Sequence, residues 1–271
     1  MEAEPIIECR SLVQVYDSPS GRVQAVRGAD LSIGRGKAVA VVGPSGSGKS
    51  SLLRLVSGLD EPTAGEVLVD GIDIFELSAR RRRIARARLL SHVYQRPSDN
   101  LLAHLTVREQ VQRVARRRKV DDAQSDDVIA RLGLADRADH LPGQLSGGEQ
   151  QRAAFARAAV GEPSVVIADE PTAELDAANT ARVLGAIDAL TERGITVLIA
   201  THDPLVLAHI DEVVLLRDGA IASVTDASGE LAVIDRTGRL QLPLEVRDAF
   251  AGGRARVQWD AERSVLTVEQ P

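Results

Sequence analysis

Ala38-Val39-Ala40-Val41-Val42-Gly43-Pro44-Ser45-Gly46-Ser47-Gly48-Lys49-Ser50-Ser51 is the stretch that decides the fold. Five apolar residues suit a strand buried on both faces, and the aliphatic run after Ser51 suits a helix. Between them stands Gly-x-x-x-x-Gly-Lys-Ser, a spacing that lets backbone N–H groups converge on phosphate oxygens at a helix N-terminus. The compact Lys49 ammonium suits the β- and γ-phosphates, and the Ser50 hydroxyl suits Mg2+. A plain glycine-rich turn is the alternative, and the strand–loop–helix context weighs against it. Of 33 basic residues only Lys37, Lys49 and Lys119 are lysines, so a lysine kept here calls for a chemical reason. The loop reads as a nucleoside triphosphate site.

The 271 residues leave room for one large domain, or for a domain plus a small appendage. Hydrophobic residues at 44% and charged residues at 27% describe a globular chain, not a disordered one. Aromatics are only 2%, so the core must be built from Ala, Val, Leu and Ile. Cys9 is the only cysteine, which excludes a disulfide framework and fits a reducing compartment. No apolar run approaches the ~18 residues that cross a bilayer. The opening MEAEPIIECRS lacks the basic-then-apolar order of a signal peptide, so a cytoplasmic protein is expected. A net charge of −6 argues against nucleic acid as the general partner.

Aliphatic runs alternate with helical patterns, the mark of a parallel sheet wrapped by helices. Strands are expected at Ile6–Val15, Ala38–Val42, Glu66–Val69, Ser164–Ala168, Thr196–Ala200 and Glu212–Arg217. Helices are expected at Lys49–Ser57, Val107–Arg118, Asp126–Leu132, Gly148–Val160 and Asp176–Arg193. Gly133 and Gly194 fall where helix-stopping glycines belong, and Asp203-Pro204 reads as an N-cap and a first-turn proline. The strand-poor stretch from about 95 to 160 suggests a helical subdomain inserted into the sheet.

Two further motifs carry chemistry. Val165-Val166-Ile167-Ala168-Asp169-Glu170 is an apolar strand ending in two carboxylates. Beside a phosphate loop, Asp169 can serve the Mg2+ shell, and Glu170 can act as a general base on water attacking the γ-phosphate. Leu145-Ser146-Gly147-Gly148-Glu149-Gln150-Gln151-Arg152 opens a helix with a hydroxyl and two glycines, a second anion-binding terminus. One triphosphate does not need two distant cradles in one chain, so a second subunit explains it; a helix-capping motif is the alternative.

This order of motifs resembles the ATP-binding subunit of an ABC transporter. The resemblance implies an α/β fold, a P-loop NTPase domain of the ABC type with a helical subdomain. It implies that Gly43 through Ser51 hold ATP, with Ser50, Gln95 and Asp169 serving Mg2+. Glu170, His202 in ATHD and Gln95 in HVYQR would be catalytic, with Gln95 also sensing the membrane partner. Tyr16 would stack on adenine; taken alone, such a tyrosine is more often edge packing, and such a histidine as His202 more often part of a capped turn. Ala173-Glu174-Leu175-Asp176 corresponds to the family's D-loop. Two subunits would form a head-to-tail homodimer in which Ser146, Gly147 and Gly148 contact the partner's ATP. Transmembrane permease subunits would be the partners, with the chain peripheral on the cytoplasmic face of the membrane. VYQRPSDNLLAHLTVREQV and ADEPTAELD resemble the lipoprotein-release, macrolide-export and cell-division branch (LolD/MacB/FtsE-like), although the usual ADEPTG reads ADEPTA here. An ATP-dependent regulatory or mechanotransmission module that moves no cargo is the alternative.

Two arginine clusters, Arg80–Arg83 with Arg86 and Arg88, and Arg116–Arg118, read as solvated helix faces or as a surface for anionic lipid or acidic partner loops. From Leu231 the pattern changes to short alternating strands. Residues 1–227 are therefore expected as the ATP-binding domain and 228–271 as a small all-β module. The stretch Ala232–Phe250 resembles the swapped hairpin of AbrB/SpoVT-type proteins, completed by a hairpin of Arg254–Trp259 with Ser264–Glu269. Glu230–Pro271 is close to neutral, so dimerisation or docking is expected in preference to DNA binding.

Overall fold

The computed structural model describes residues 4–19, 21–173, 175–210, 212–226, 229–232, 256–260 and 265–269. The chain opens with β1 (Ile7–Ser18), β2 (Gly21–Ile33), β3 (Ala38–Val42), α1 (Lys49–Val56), β4 (Ala64–Val69), β5 (Ile72–Asp73), α2 (Ala79–Leu89) and β6 (Leu90–Val93). Four helices follow: α3 (Pro97–Asn100), α4 (Val107–Arg118), α5 (Asp122–Arg131) and α6 (Gly147–Ala159). The chain then alternates through β7 (Val165–Asp169), α7 (Ala177–Thr191), β8 (Thr196–Ala200), α8 (Pro204–His209), β9 (Glu212–Arg217), β10 (Ala220–Asp226) and β11 (Gly229–Ala232). Separately, β12 (Arg256–Asp260) and β13 (Val265–Glu269) form an antiparallel hairpin.

A seven-stranded sheet runs in the order β11-β10-β9-β3-β8-β7-β6. From β9 to β6 every neighbour is parallel, so β3, β8, β7 and β6 all end at one edge of the sheet. In such a sheet the loops leaving that edge form the ligand crevice. Side chains alternate between two cores. Val39, Val41, Val165, Ile167, Leu198 and Ala200 face α1, which contributes Leu52, Leu53, Leu55 and Val56. Ala40, Val166, Ala168, Val197 and Ile199 face the other way, onto α4, α6 and α7. Helices α1 and α6 therefore lie on opposite faces of the sheet.

Strands β3, β8 and β9 have the boundaries expected from their apolar runs. The expectation of a parallel sheet alone needs correction: β2-β1-β4-β5 form a second, antiparallel sheet. Its strand β2 reads as polar because Gly21–Gln24 are exposed, and only its second half enters the core. Strand β6 escaped notice because Ser91 and His92 interrupt a run of four residues. Helix α5 opens at Asp122, earlier than the expected Asp126, because the Asp121 carboxylate accepts from Gln124 N at 2.9 Å. Gly133 and Gly194 do take left-handed backbone at φ 65° and 77°. The sheet also continues past residue 227, since β11 pairs with β10 from Asp226↔Gly229 to Ser223↔Ala232. The swapped-hairpin reading of Ala232–Phe250 falls, beyond Ala232, outside the described residues.

Candidate functional site

The loop between β3 and α1 is shaped by backbone neighbours as well as by its own glycines. A Cβ at Gly43 would lie 2.1 Å from Leu216 O, and one at Gly48 would lie 2.2 Å from Ala25 O. No side chain fits at either place. Gly46, by contrast, has φ +79° and open space where a Cβ would be, so its backbone conformation and not crowding calls for glycine. Helix α1 starts at Gly48 with no side-chain cap, whereas α4, α5, α6 and α7 are capped by Thr106, Asp121, Ser146 and Asp176. Uncapped first-turn amides at the positive end of a helix are what an anion needs. The Ser47 hydroxyl is buried without a hydrogen-bond partner. Lys49 Nζ donates to Gly43 O at 2.8 Å and Pro44 O at 3.2 Å, which places the ammonium over the loop. The other lysines do plainer work: Lys37 pairs with Glu212 at 2.8 Å, and Lys119 ends α4 in a left-handed turn.

The end of β7 meets this loop. Asp169 stands beside Ser50 and Lys49; burial raises its pKa, as does the neighbouring Glu170, with Ser50 and Lys49 pulling the other way. The next residue, Glu170, leaves the strand at φ +46° while its N–H donates to Ala200 O at 2.8 Å. That turn aims the carboxylate sideways at the end of β8, where His202 Nδ1 lies 2.9 Å from Glu170 Oε1. His202 itself is held between two anchors. Thr201 N donates to Val41 O at 3.2 Å, and Asp203 caps α8 while accepting from Thr172 Oγ1 at 2.7 Å. The cap at Asp203-Pro204 thus forms as expected.

Gln95 is exposed, two residues beyond the end of β6 at the same sheet edge as Asp169. Its loop is clasped by the buried Asn100, whose side chain accepts from Tyr94 N at 2.8 Å and donates to Tyr94 O at 2.9 Å and Arg96 O at 3.1 Å. Tyr16 lies beside α1, with its hydroxyl donating to Asp60 Oδ2 at 2.8 Å. Asn100, Thr172 and Asp60 had no signal in the sequence, because each bond depends on tertiary placement and not on motif spacing.

Ser146 forms a full capping box at the start of α6: it accepts from Glu149 N, and Glu149 Oε2 accepts from Ser146 N at 2.8 Å. The capping alternative is therefore realised. Ser146 and Gly147 remain exposed, while a Cβ on the buried Gly148 would come within 2.4 Å of Asn179 Oδ1. Since α6 and α1 occupy opposite faces of the sheet, this segment does not complete the loop of its own chain. In the D-loop stretch, Asp176 caps α7 by accepting from Asn179 N at 2.8 Å, and Glu174 lies outside the described residues.

The residues fit a magnesium nucleotide in kind. Among the described residues no three His, Cys, Asp or Glu cluster as a self-sufficient metal site. One carboxylate and one hydroxyl, Asp169 and Ser50, suit Mg2+, which takes its remaining ligands from phosphates and water.

A family model described as ABC transporter matches residues 26–173. The chain is 39% identical over 223 residues to the lipoprotein-releasing system ATP-binding protein LolD of Hyphomonas neptunium, covering 80% of this chain and 97% of that protein. It is 40% identical over 223 residues to the macrolide export ATP-binding/permease protein MacB 1/2 of Paracoccus denitrificans, of which it spans only 33%. Among solved structures, a dimeric ATP-binding cassette, MJ0796, in a post-hydrolysis state with ADP and Pi superposes with a TM-score of 0.73 at 30% identity, covering 81% of this chain and 98% of the other.

Proposed function

The chain belongs to the ABC transporter ATP-binding family, and from that premise we propose how its own residues act. It is an ATP-binding, ATP-hydrolysing subunit of the LolD/MacB kind that energises a separate permease. One observation carries the residue assignment: Lys49, the neighbouring Ser50 and Asp169, and the Glu170–His202 bond converge at one edge of the parallel sheet.

ATP lies along the loop from Gly43 to Ser51, its phosphates on the α1 amides and Lys49, with Tyr16 under the base. Ser50 and Asp169 would hold Mg2+, which supplies charge neutralisation on the phosphates. Glu170 takes the proton of the attacking water, and His202 orients Glu170 and contacts the γ-phosphate. Gln95 positions the same water. Nothing covalent forms on the protein; placement and charge stabilisation lower the barrier.

Two chains assemble head to tail, each bringing Ser146, Gly147 and Gly148 to the other's ATP. The placement of α1 and α6 on opposite faces supports this. The permease docks at a cleft of about 270 Å3 lined by Arg83, Arg86, Arg117, Ser57 and Tyr94, with no carboxylate in its lining. Acidic segments suit it, and one of its lining residues, Tyr94, is the chain neighbour of Gln95. No described helix is long and apolar enough to cross a membrane. A peripheral place on the cytoplasmic face follows from the permease partnership.

The division into residues 1–227, with a helical subdomain at about 95–160, and an AbrB-like module at 228–271 is retained as a proposal. The β12–β13 pairing supports a hairpin there, used for dimerisation or docking and not for nucleic acid. Titration of the full chain with Mg2+ and ATP tests the site. Lys49→Ala should weaken ATP binding by about 100-fold or more, as loss of a desolvated charge partner on phosphate requires. Wild-type affinity in that variant would refute the loop as the triphosphate site.

A further inference from the structure

Strand pairing alone does not fix the position of Tyr16. The pairing of β1 with β4 stops at Val13↔Ala64, so β2 is the only strand paired with Tyr16, just past a register shift between Gln14 and Val15, and the nearest hold from the other side is Val15 N donating to Thr63 Oγ1 at 3.0 Å. A ring on such a two-stranded end needs a tether through its side chain.

The tether is there. Tyr16 Oη donates to Asp60 Oδ2 at 2.8 Å. Asp60 is in turn gripped by Arg54, with Nε to Oδ2 at 2.7 Å and Nη2 to Oδ1 at 2.6 Å. Arg54 lies on α1, the helix that begins just after the phosphate loop. The backbone closes the same unit, since Leu59 N donates to Arg54 O at 2.9 Å. A bidentate Arg–carboxylate pair is planar and directional, so it holds the accepting oxygen still. Arg54 also keeps the Asp60 carboxyl below its ordinary pKa, which preserves the anion as an acceptor near neutral pH.

We propose that Asp60 and Arg54 are positioning residues which fix the Tyr16 ring for the base and tie base recognition to the helix that starts at the phosphate loop. The proposal rests on the reading of Tyr16 as the adenine platform. Because the base is remote from the reacting phosphate, the tether acts on binding and leaves the chemical step alone.

Steady-state ATPase kinetics of the full chain separate these roles. Tyr16→Phe keeps the ring and removes the tether; Asp60→Asn keeps the shape and removes the charge. Each should raise KM for ATP about five- to tenfold with kcat within about twofold, the scale of one ordinary net hydrogen bond acting indirectly through the ring. The double variant should be no worse than either single one, because both break the same link. Wild-type KM in Tyr16→Phe, additive effects in the double variant, or a fall in kcat as large as the rise in KM would each overturn the proposal. Tyr16→Ala distinguishes the underlying reading. A raised KM there with wild-type behaviour in Tyr16→Phe leaves the platform standing and removes the tether, whereas wild-type KM in Tyr16→Ala refutes the platform itself.

Discussion

His202 Nδ1 lies 2.9 Å from Glu170 Oε1, a contact between side chains 32 positions apart in the sequence. It arises from two adjacent parallel strands in the register Asp169↔Ala200, with Glu170 one residue past the end of β7 and His202 two past the end of β8. Glu170 is mostly buried while the His202 side chain is 80% exposed, so the imidazole is the outward end of the pair. A carboxylate so oriented can face water on one side and its histidine on the other.

Replacing His202 by Ala therefore removes the orienting partner and leaves the phosphate loop intact. ATP affinity should stay within about threefold, and kcat should fall about 100-fold, the usual scale for a positioned acid–base group. Separate measurements of nucleotide binding and turnover check this; a parallel loss of both would mean that His202 acts on binding instead.

Ser146 offers a test of assembly. Ser146→Arg places a large cation at an exposed helix start and forfeits a capping box worth about 1 kcal/mol. Each chain should still bind ATP, but light scattering should show no ATP-induced dimer. An unchanged dimer fraction would remove the head-to-tail arrangement.

His92 predicts an acid sensitivity. Its Nδ1 lies 3.2 Å from Ser57 Oγ, whose proton goes to Leu53 O at 2.6 Å, so Nδ1 carries a ring proton that it donates to Ser57. Burial, with Arg54 and Arg86 nearby, lowers its pKa to about 4. An unfolded histidine titrates near 6.5, so between about pH 6.5 and 4 the unfolded chain binds the extra proton. The stability due to neutral His92 is thus complete above about pH 6.5 and is lost as pH falls toward 4, at up to about 1.4 kcal/mol per unit. Denaturant titrations at several pH values should show His92→Gln with a shallower decline than wild type over that window. Identical slopes would contradict a buried neutral imidazole.

What the sequence could show depended on how local each feature is. The phosphate loop, the Asp169-Glu170 strand end and the Ser146-Gly147-Gly148 helix start are each contiguous, so residue order alone revealed them. Strand β2 was hidden because half of it faces solvent, and β6 because four residues give too little periodicity. The supports of the site were hidden for another reason. Asn100 clasps Tyr94 through backbone groups, Thr172 reaches Asp203 across 31 positions, and Tyr16 reaches Asp60 across 44. Hydrogen bonds of that kind follow no spacing rule. Lysine scarcity was an imperfect guide, since Lys37 forms an ion pair with Glu212 that an arginine would form as well.

The central claim is that Glu170 is the base of an ATP-hydrolysing site at the end of β7. Single-turnover hydrolysis by the purified Glu170→Gln chain, with ATP binding measured in parallel, tests it most directly. The amide keeps the shape but cannot take a proton, so ATP should bind as in wild type while the hydrolysis rate falls by about 100-fold or more. Hydrolysis at the wild-type rate in that variant would contradict the assignment.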